Sequence, residues 1–150
     1  MRTVEKVLLG VLIGGVSACG GAPPPETGEV IDKLKAGGVP IKKVVTYTED
    51  SDPNKLLGRP GQYVGKANFR LRGIEGPNSS DSDIDTSEGG SVEVFASESE
   101  AVERLNYVEA IAKSGGLFAE YDYREGQVLL RISKDVAPSK ARRYGEALAD

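Results

Sequence analysis

The sequence predicts an α+β domain: a mostly antiparallel sheet with helices packed on one face. Three observations carry that expectation. Alternating or β-branched runs recur along the chain, at Val39 to Thr48, Tyr63 to Arg72, Val92 to Ala96, Leu117 to Tyr123 and Gln127 to Ile132. The last two runs are joined by Arg124-Glu125-Gly126, which reads as a hairpin turn with Gly in the left-handed position. Helical periodicity is segregated from the strands instead of following each one, which argues against a parallel sheet.

Taken in order, Glu29 to Ala36 places Val30, Ile31 and Leu34 on one helical face, and Gly37-Gly38 supplies the stop. Val39 to Thr48 reads as a strand, although Lys42-Lys43 spoils strict alternation, and Glu49 to Pro53 reads as a polar turn. In the strongest strand, Tyr63, Gly65, Ala67, Phe69 and Leu71 face the core and Val64, Lys66, Asn68, Arg70 and Arg72 face outward. Gly73 to Gly90 is a Gly, Pro, Ser and Asp rich loop. After the strand at Val92, Ser97 and Glu100 form a capping box. It opens a helix with a buried stripe of Ala101, Leu105, Val108 and Ala112, flanked by Val102 and Ile111. Pro138 opens a final helix with Ala141, Tyr144 and Leu148 inward. From Val92 onward the order suits a split β-α-β arrangement.

With 150 residues, a net charge of −4 and 39% hydrophobic residues, the chain has room for one ordinary domain. Histidine is absent and cysteine occurs once, which excludes His-based triads, His metal sites, intrachain disulfides and multi-thiolate metal sites.

The N-terminus reads as an address. Arg2 and Lys6 precede the apolar run Val7 to Val16, which ends in Val16-Ser17-Ala18-Cys19. A charged start, a short apolar run and small residues before a cut site make a secretory signal, and the run is too short for a spanning helix of about 20 residues. The last four residues resemble the lipobox of bacterial lipoproteins, with Val16 where Leu is preferred. Ordinary cleavage after Ala18 is the alternative. The sole cysteine favours lipidation, since one unpaired thiol gives an exported protein no structural gain. The expected organisation is a signal peptide at 1–18, a Gly/Pro-rich tether at 19–28 with nothing large to bury, and one α+β domain at 29–150. The expected location is the extracytoplasmic face of the cell membrane, anchored through lipid on Cys19.

Asp81-Ser82-Asp83-Ile84-Asp85 matches the first acidic positions of a calcium loop. Thr86 stands where the turn glycine belongs and Val92 where the bidentate glutamate belongs, so the segment Asp81 to Glu88 reads as a solvated acidic loop, with cation binding left open. Ser114-Gly115-Gly116 reads as helix termination and Arg59-Pro60-Gly61 as a turn. Charge is unevenly distributed. Lys33 to Arg72 holds nine basic and three acidic residues, whereas Glu75 to Glu125 holds thirteen acidic and three basic. Lys66, Arg70 and Arg72 on one strand face are the candidate binding residues for an anionic envelope polymer, headgroup or protein partner. Internal pairing with the acidic segment is the alternative. Nucleic acid is not an expected partner, and no catalytic residue, metal or cofactor is expected.

The stretches Asn54 to Tyr63 (with Gly58-Arg59-Pro60-Gly61-Gln62-Tyr63), Gly89 to Phe95, Tyr121-Asp122-Tyr123 and Val128 to Ser133 together resemble small secreted lipoproteins of actinobacteria, a family of unknown function. The resemblance implies a Gram-positive type envelope and carries over no functional residues. The expected role is non-enzymatic binding or scaffolding at the cell surface. The alternatives are an accessory cell-wall hydrolase using a carboxylate pair and a prophage-type superinfection-exclusion lipoprotein.

Overall fold

Period-two alternation in five short segments builds a single sheet. The computed structural model describes residues 21–74, 76, 80–115 and 119–150. The elements in chain order are α1 (Thr27–Ala36), β1 (Ile41–Thr46), β2 (Gly65–Leu71), β3 (Gly89–Val94), α2 (Glu98–Gly115), β4 (Glu120–Glu125), β5 (Val128–Ser133) and α3 (Pro138–Ala149). A one-turn 3-10 helix at Thr86–Glu88 leads into β3. The sheet has the order β1-β2-β3-β5-β4, and every neighbouring pair is antiparallel. The fold is α+β. Because β5 lies between β3 and β4, the path β3-α2-β4 is the split crossover that the element order suggested.

One face of the sheet is dry. Phe69, Val92, Val94, Leu130 and Ile132 pack there against Ile31 and Leu34 of α1 and Ala141 and Leu148 of α3. The other face carries a smaller apolar cluster of Tyr63, Phe95, Ala101, Val108 and Leu129. Thus α1 and α3 share the first face, while α2 packs on the second. Phe95, just past β3, turns to the second face beside Leu129, and the helix that starts at Glu98 follows it there.

Local chemistry accounts for the boundaries. Helix α1 ends in a Schellman motif: Gly38 has φ +87, Val39 N–H donates to Leu34 O at 3.0 Å and Gly38 N–H to Lys35 O at 3.0 Å. The Lys42-Lys43 irregularity is a β-bulge between Ile41 and Lys43. Strand β3 starts at Gly89, three residues before the expected Val92, because β2 crowds its first two residues, with Phe69 O pressed against the place where a Cβ on Gly89 would stand and the Phe69 ring against Gly90. A Cβ on Gly90 would lie 2.6 Å from Phe69 Cζ and 2.5 Å from Arg131 O. The α2 capping box is present, with Ser97 N–H donating to Glu100 Oε2 at 3.1 Å and Glu100 N–H to Ser97 Oγ at 3.3 Å. Its stripe is thinner than expected: Ala101 and Val108 are the buried residues, while Val102 is 36% and Tyr107 57% exposed. The hairpin turn is Gly126-Gln127, with Gly126 at φ +51; Arg124 and Glu125, expected in the turn, end β4 instead, and Leu117 and Phe118, expected to open that strand, lie outside the described residues.

The expected boundary at Glu29 moves into the tether. Helix α1 begins at Thr27, which is buried, and Glu26 closes a capping box with Glu29, its N–H donating to Glu29 Oε2 at 3.2 Å. Farther out, Gln127 Nε2 donates to Ala22 O at 3.2 Å. The signal segment and Cys19 lie outside the described residues.

A chain beginning at Glu29 therefore loses the cap and the buried Thr27. Denaturant titration should find it less stable than one beginning at Gly21, by about 1–2 kcal/mol. Equal midpoints would mean that residues 21–28 contribute nothing to the fold.

Candidate functional site

Alternation sends the charged residues of four strands to the second face. In one row Lys66 of β2 lies opposite Glu93 of β3. In the next, Asn68, Ser91, Arg131 and Asp122 follow one another across β2, β3, β5 and β4. The residues between β1 and β2, the segment around Asp81 to Glu88 and helix α2 all send side chains to this face.

The first centre is Asp52, which is fully buried. Its carboxylate accepts five hydrogen bonds: Lys66 Nζ at 2.8 Å, Tyr63 OH at 2.7 Å, and the N–H groups of Leu56 at 2.9 Å, Leu57 at 3.1 Å and Asn54 at 3.2 Å. Burial alone would raise its pKa, yet the bonds from Lys66, the backbone N–H groups and Tyr63 hold it well below the usual carboxylate range. The Lys66 ammonium also lies 5.1 Å from the Tyr47 ring centroid and 5.4 Å from that of Tyr63. Tyr47 OH donates toward Asp83 Oδ1 at 3.0 Å and Ile84 O at 3.3 Å, and burial pushes its pKa up to about 12.

The second centre is Glu93, also fully buried. Arg104 of α2 donates to both of its oxygens, at 2.8 and 3.1 Å, and Arg131 Nη1 donates at 3.0 Å. Burial works against the charged carboxylate, but the two arginines keep its pKa low. Arg131 also holds Glu120 in a bidentate pair at 2.8 and 2.9 Å. Arg104 is stacked between the Tyr63 and Tyr107 rings, 5.9 and 5.5 Å from their centroids.

These centres redistribute the candidate residues. Lys66 does sit on the face opposite Phe69, but it is 3% exposed and paired with Asp52. Arg70 donates to Glu88 at 2.6 Å and to Asp81 at 2.9 Å. Arg72 is exposed beyond the end of β2. The three do not form a continuous basic surface, because loops that carry Asp52, Asp81 and Glu88 fold over two of them. The acidic segment is tied down residue by residue: Asp81 to Lys43 and Arg70, Asp83 to Tyr47, and Asp85 as the cap of the 3-10 turn. Among the described residues no acidic, Cys or His cluster has the arrangement of a metal site.

Exposed cations gather instead on α3. Lys140, Arg142 and Arg143 all face solvent there, with Glu146 the one acidic residue of that helix. Their spacing was visible in the sequence, behind the inward residues Ala141 and Tyr144.

One open groove lies at the far edge of the same face. It has a volume of about 400 Å³ and is lined by Glu109, Ala112 and Lys113 of α2 and by residues 120–123 of β4. Asp122 is its unsatisfied member. Its Oδ1 is buried and makes no hydrogen bond among the described residues, since Arg131 opposite it is turned to Glu120 and Glu93. Burial, and then the negative charge of Glu120, push the Asp122 pKa up to about 6. The chain matches no protein-family model, no curated protein and no solved structure.

Two outcomes follow for stability. Lys66→Met leaves Asp52 buried without its cation and should lose roughly 3–5 kcal/mol, while the Asp52→Asn/Lys66→Met double variant should lose less. A double variant whose loss in denaturant titrations equals the sum of those of Lys66→Met and Asp52→Asn would mean that the ion pair carries no coupling. The two carboxyl groups also give opposite pH dependences. Asp52 is held below its ordinary value, so its stabilisation is present above about pH 4 and is lost in acid. Asp122 is raised from 3.8 to about 6, so its contribution is greatest below its ordinary value and fades as pH climbs through about 6. In the single chain, at concentrations low enough to exclude self-association, Asp122→Asn should therefore raise the thermal midpoint above about pH 7 and leave it unchanged near pH 4; a midpoint lowered at both would refute this assignment.

Proposed function

We propose that the chain is a lipid-anchored protein of the extracytoplasmic membrane face with a non-enzymatic binding or scaffolding role at the envelope. One observation carries this reading: the charged start, apolar run and Val16-Ser17-Ala18-Cys19 ending, with Cys19 the only cysteine in 150 residues. A diacylglyceryl group on Cys19 holds firmly by itself, since each buried methylene contributes about 0.8 kcal/mol. The bond from Gln127 to Ala22 supports a membrane-proximal domain. Only three residue steps separate Cys19 from Ala22, about 10 Å at full extension.

The surface chemistry fits that location. Lys140, Arg142 and Arg143 suit anionic headgroups or an anionic envelope polymer, each contributing about 1 kcal/mol near such a surface. The actinobacterial lipoprotein resemblance of the sequence points to the same compartment.

A second reading, a wall-polymer hydrolase, is favoured by the groove that brings Asp122 together with Glu109 and Glu120. In it Asp122 is the protonated acid, and its pKa of about 6 suits the role. Glu120 is committed to Arg131 and Glu109 to Lys113, which leaves the acid without a free base. Hydrolysis of wall polymer that disappears with Asp122→Asn would establish this reading over the first.

Mass spectrometry of the mature N-terminus should show a lipid-modified Cys19, and Cys19→Ala should release the protein from membranes. An unmodified mature chain starting at Cys19 would end the lipoprotein reading. With Cys19→Ser in the full chain, Lys140, Arg142 and Arg143 changed together to Ser should weaken binding to vesicles of anionic phospholipid by up to about 100-fold. Unchanged binding would remove the headgroup contact and leave the anchor standing.

A further inference from the structure

The two edges of the sheet are built differently. At the β1 edge a bulge interrupts the ladder, Lys42 is exposed and Lys43 reaches Asp81 at 3.1 Å, all of which blunt an edge against pairing. Strand β4 has no bulge, and its charges, Glu120, Asp122, Arg124 and Glu125, are of both signs, so they can match a copy in the right register. Its register with β5 runs unbroken from Glu120 opposite Ser133 to Glu125 opposite Val128, and Glu-Tyr-Asp-Tyr-Arg-Glu contains neither Pro nor Lys.

The hairpin fixes which backbone groups face outward. With Gly126 and Gln127 as a two-residue loop, Glu125 and Val128 form a hydrogen-bonded pair, and so do Tyr123 and Tyr121 with their partners. Glu120, Asp122 and Arg124 then turn their N–H and C=O groups away from β5, toward the groove beside α2.

We propose that β4 pairs antiparallel with β4 of a second copy of this chain, joining two five-stranded sheets across a two-fold axis. The outward groups belong to residues 120, 122 and 124, so only registers that set these against one another can form ladder bonds. Centring on Asp122 sets Glu120 opposite Arg124 twice, but it puts two carboxylates face to face at the centre and calls on Glu120, which Arg131 already holds in a bidentate pair. Centring on Arg124 opposes two guanidinium groups, and centring on Tyr121 sets Glu120 against Asp122. Centring on Tyr123 places Asp122 opposite Arg124 twice and stacks Tyr123 on its own copy. That register supplies the hydrogen-bonding cation that Asp122 lacks among the described residues of one chain. Arg124 spends Nη1 on Glu98 and Gly126 O, and its guanidinium has further N–H groups to give.

Helix α2 packs on the same end of the sheet and borders the groove with Glu109, Ala112 and Lys113. Its first turn is tied to β4 through Glu98 and Arg124, so the helix is carried with the strand into the pairing.

Sedimentation of the full chain in non-ionic detergent should show a dimer. Arg124→Asp alone and Asp122→Arg alone should each weaken it roughly 10- to 100-fold, because reversal turns two attractive pairs into two repulsive ones. The double variant Asp122→Arg/Arg124→Asp should restore it. A monomer at about 100 μM, well above the dissociation constant of a specific dimer, overturns the proposal. So does a folded double variant no better than the singles, which would leave β4 to a foreign basic strand or to none. Should the double variant not fold, cysteine placement decides. With Cys19→Ser, Tyr123→Cys should form an intermolecular disulfide, because directly opposed non-hydrogen-bonded residues lie about 4.5 Å apart at Cα, whereas Tyr121→Cys should not. Crosslinking at 121 and not at 123 overturns the register.

Discussion

The second face of the sheet is organised by the buried pair of Lys66 and Asp52. A strand that alternates strictly cannot hide an ammonium among apolar side chains, and leaving it unpaired would be prohibitive. The residues between β1 and β2 resolve this by bringing Asp52 over β2. The same carboxylate then gathers the N–H groups of Asn54, Leu56 and Leu57 and the hydroxyl of Tyr63. One ion pair thus gives a segment without helix or strand a fixed shape and satisfies backbone groups that would otherwise be orphaned. Leu56 and Leu57 are carried with it against the apolar cluster around Tyr63.

Glu93 does for α2 what Asp52 does for that segment. Among the residues of α2 only Ala101 and Val108 are buried, an area worth a few kcal/mol at most. Arg104 adds a two-pronged bond to Glu93, and its guanidinium lies between two tyrosine rings. Helix position is therefore set by direction-specific charge contacts as much as by area. The first face works the other way, with α1 and α3 held by a broad apolar surface that needs no such pairs.

This division explains what was legible in the sequence. Elements fixed by local signals were readable: the Gly37-Gly38 stop, the Ser97/Glu100 cap, the Gly126 turn and the inward residues of α3. The alternation of β2 correctly assigned Lys66 and Arg70 to the face opposite Phe69. It carried no information about what lies over that face, because Asp52 and Glu88 are 14 and 18 residues away along the chain. A usable signal existed in the isolated charges Lys66, Glu93 and Arg131, each set within an apolar run, since single charges in neighbouring strands mark cross-strand pairs. The start of β3 was hidden for a different reason. Glycines usually end strands, and Gly90 is a requirement inside one because the ring of Phe69 and the carbonyl of Arg131, both distant in sequence, crowd it.

The proposed anchor and the proposed β4 pairing constrain each other. A two-fold axis that continues an antiparallel sheet stands perpendicular to it, so two anchored copies can both reach one membrane only if the sheet lies parallel to the bilayer. In the register centred on Tyr123 the two Gln127 residues stand about 25 Å apart, on opposite sides of the axis. Each is bonded to its own Ala22, and the chain from there leads into α1 on the first face. In the proposed anchored dimer the first face is the one that suits a lipid surface, because its outer helix carries Lys140, Arg142 and Arg143. Tyr107 and Val102 on α2 would point away from the membrane, as the surface open to other envelope components. Strand register and helix charge are thus compatible with a single orientation of the proposed dimer, although they arise from different parts of the chain.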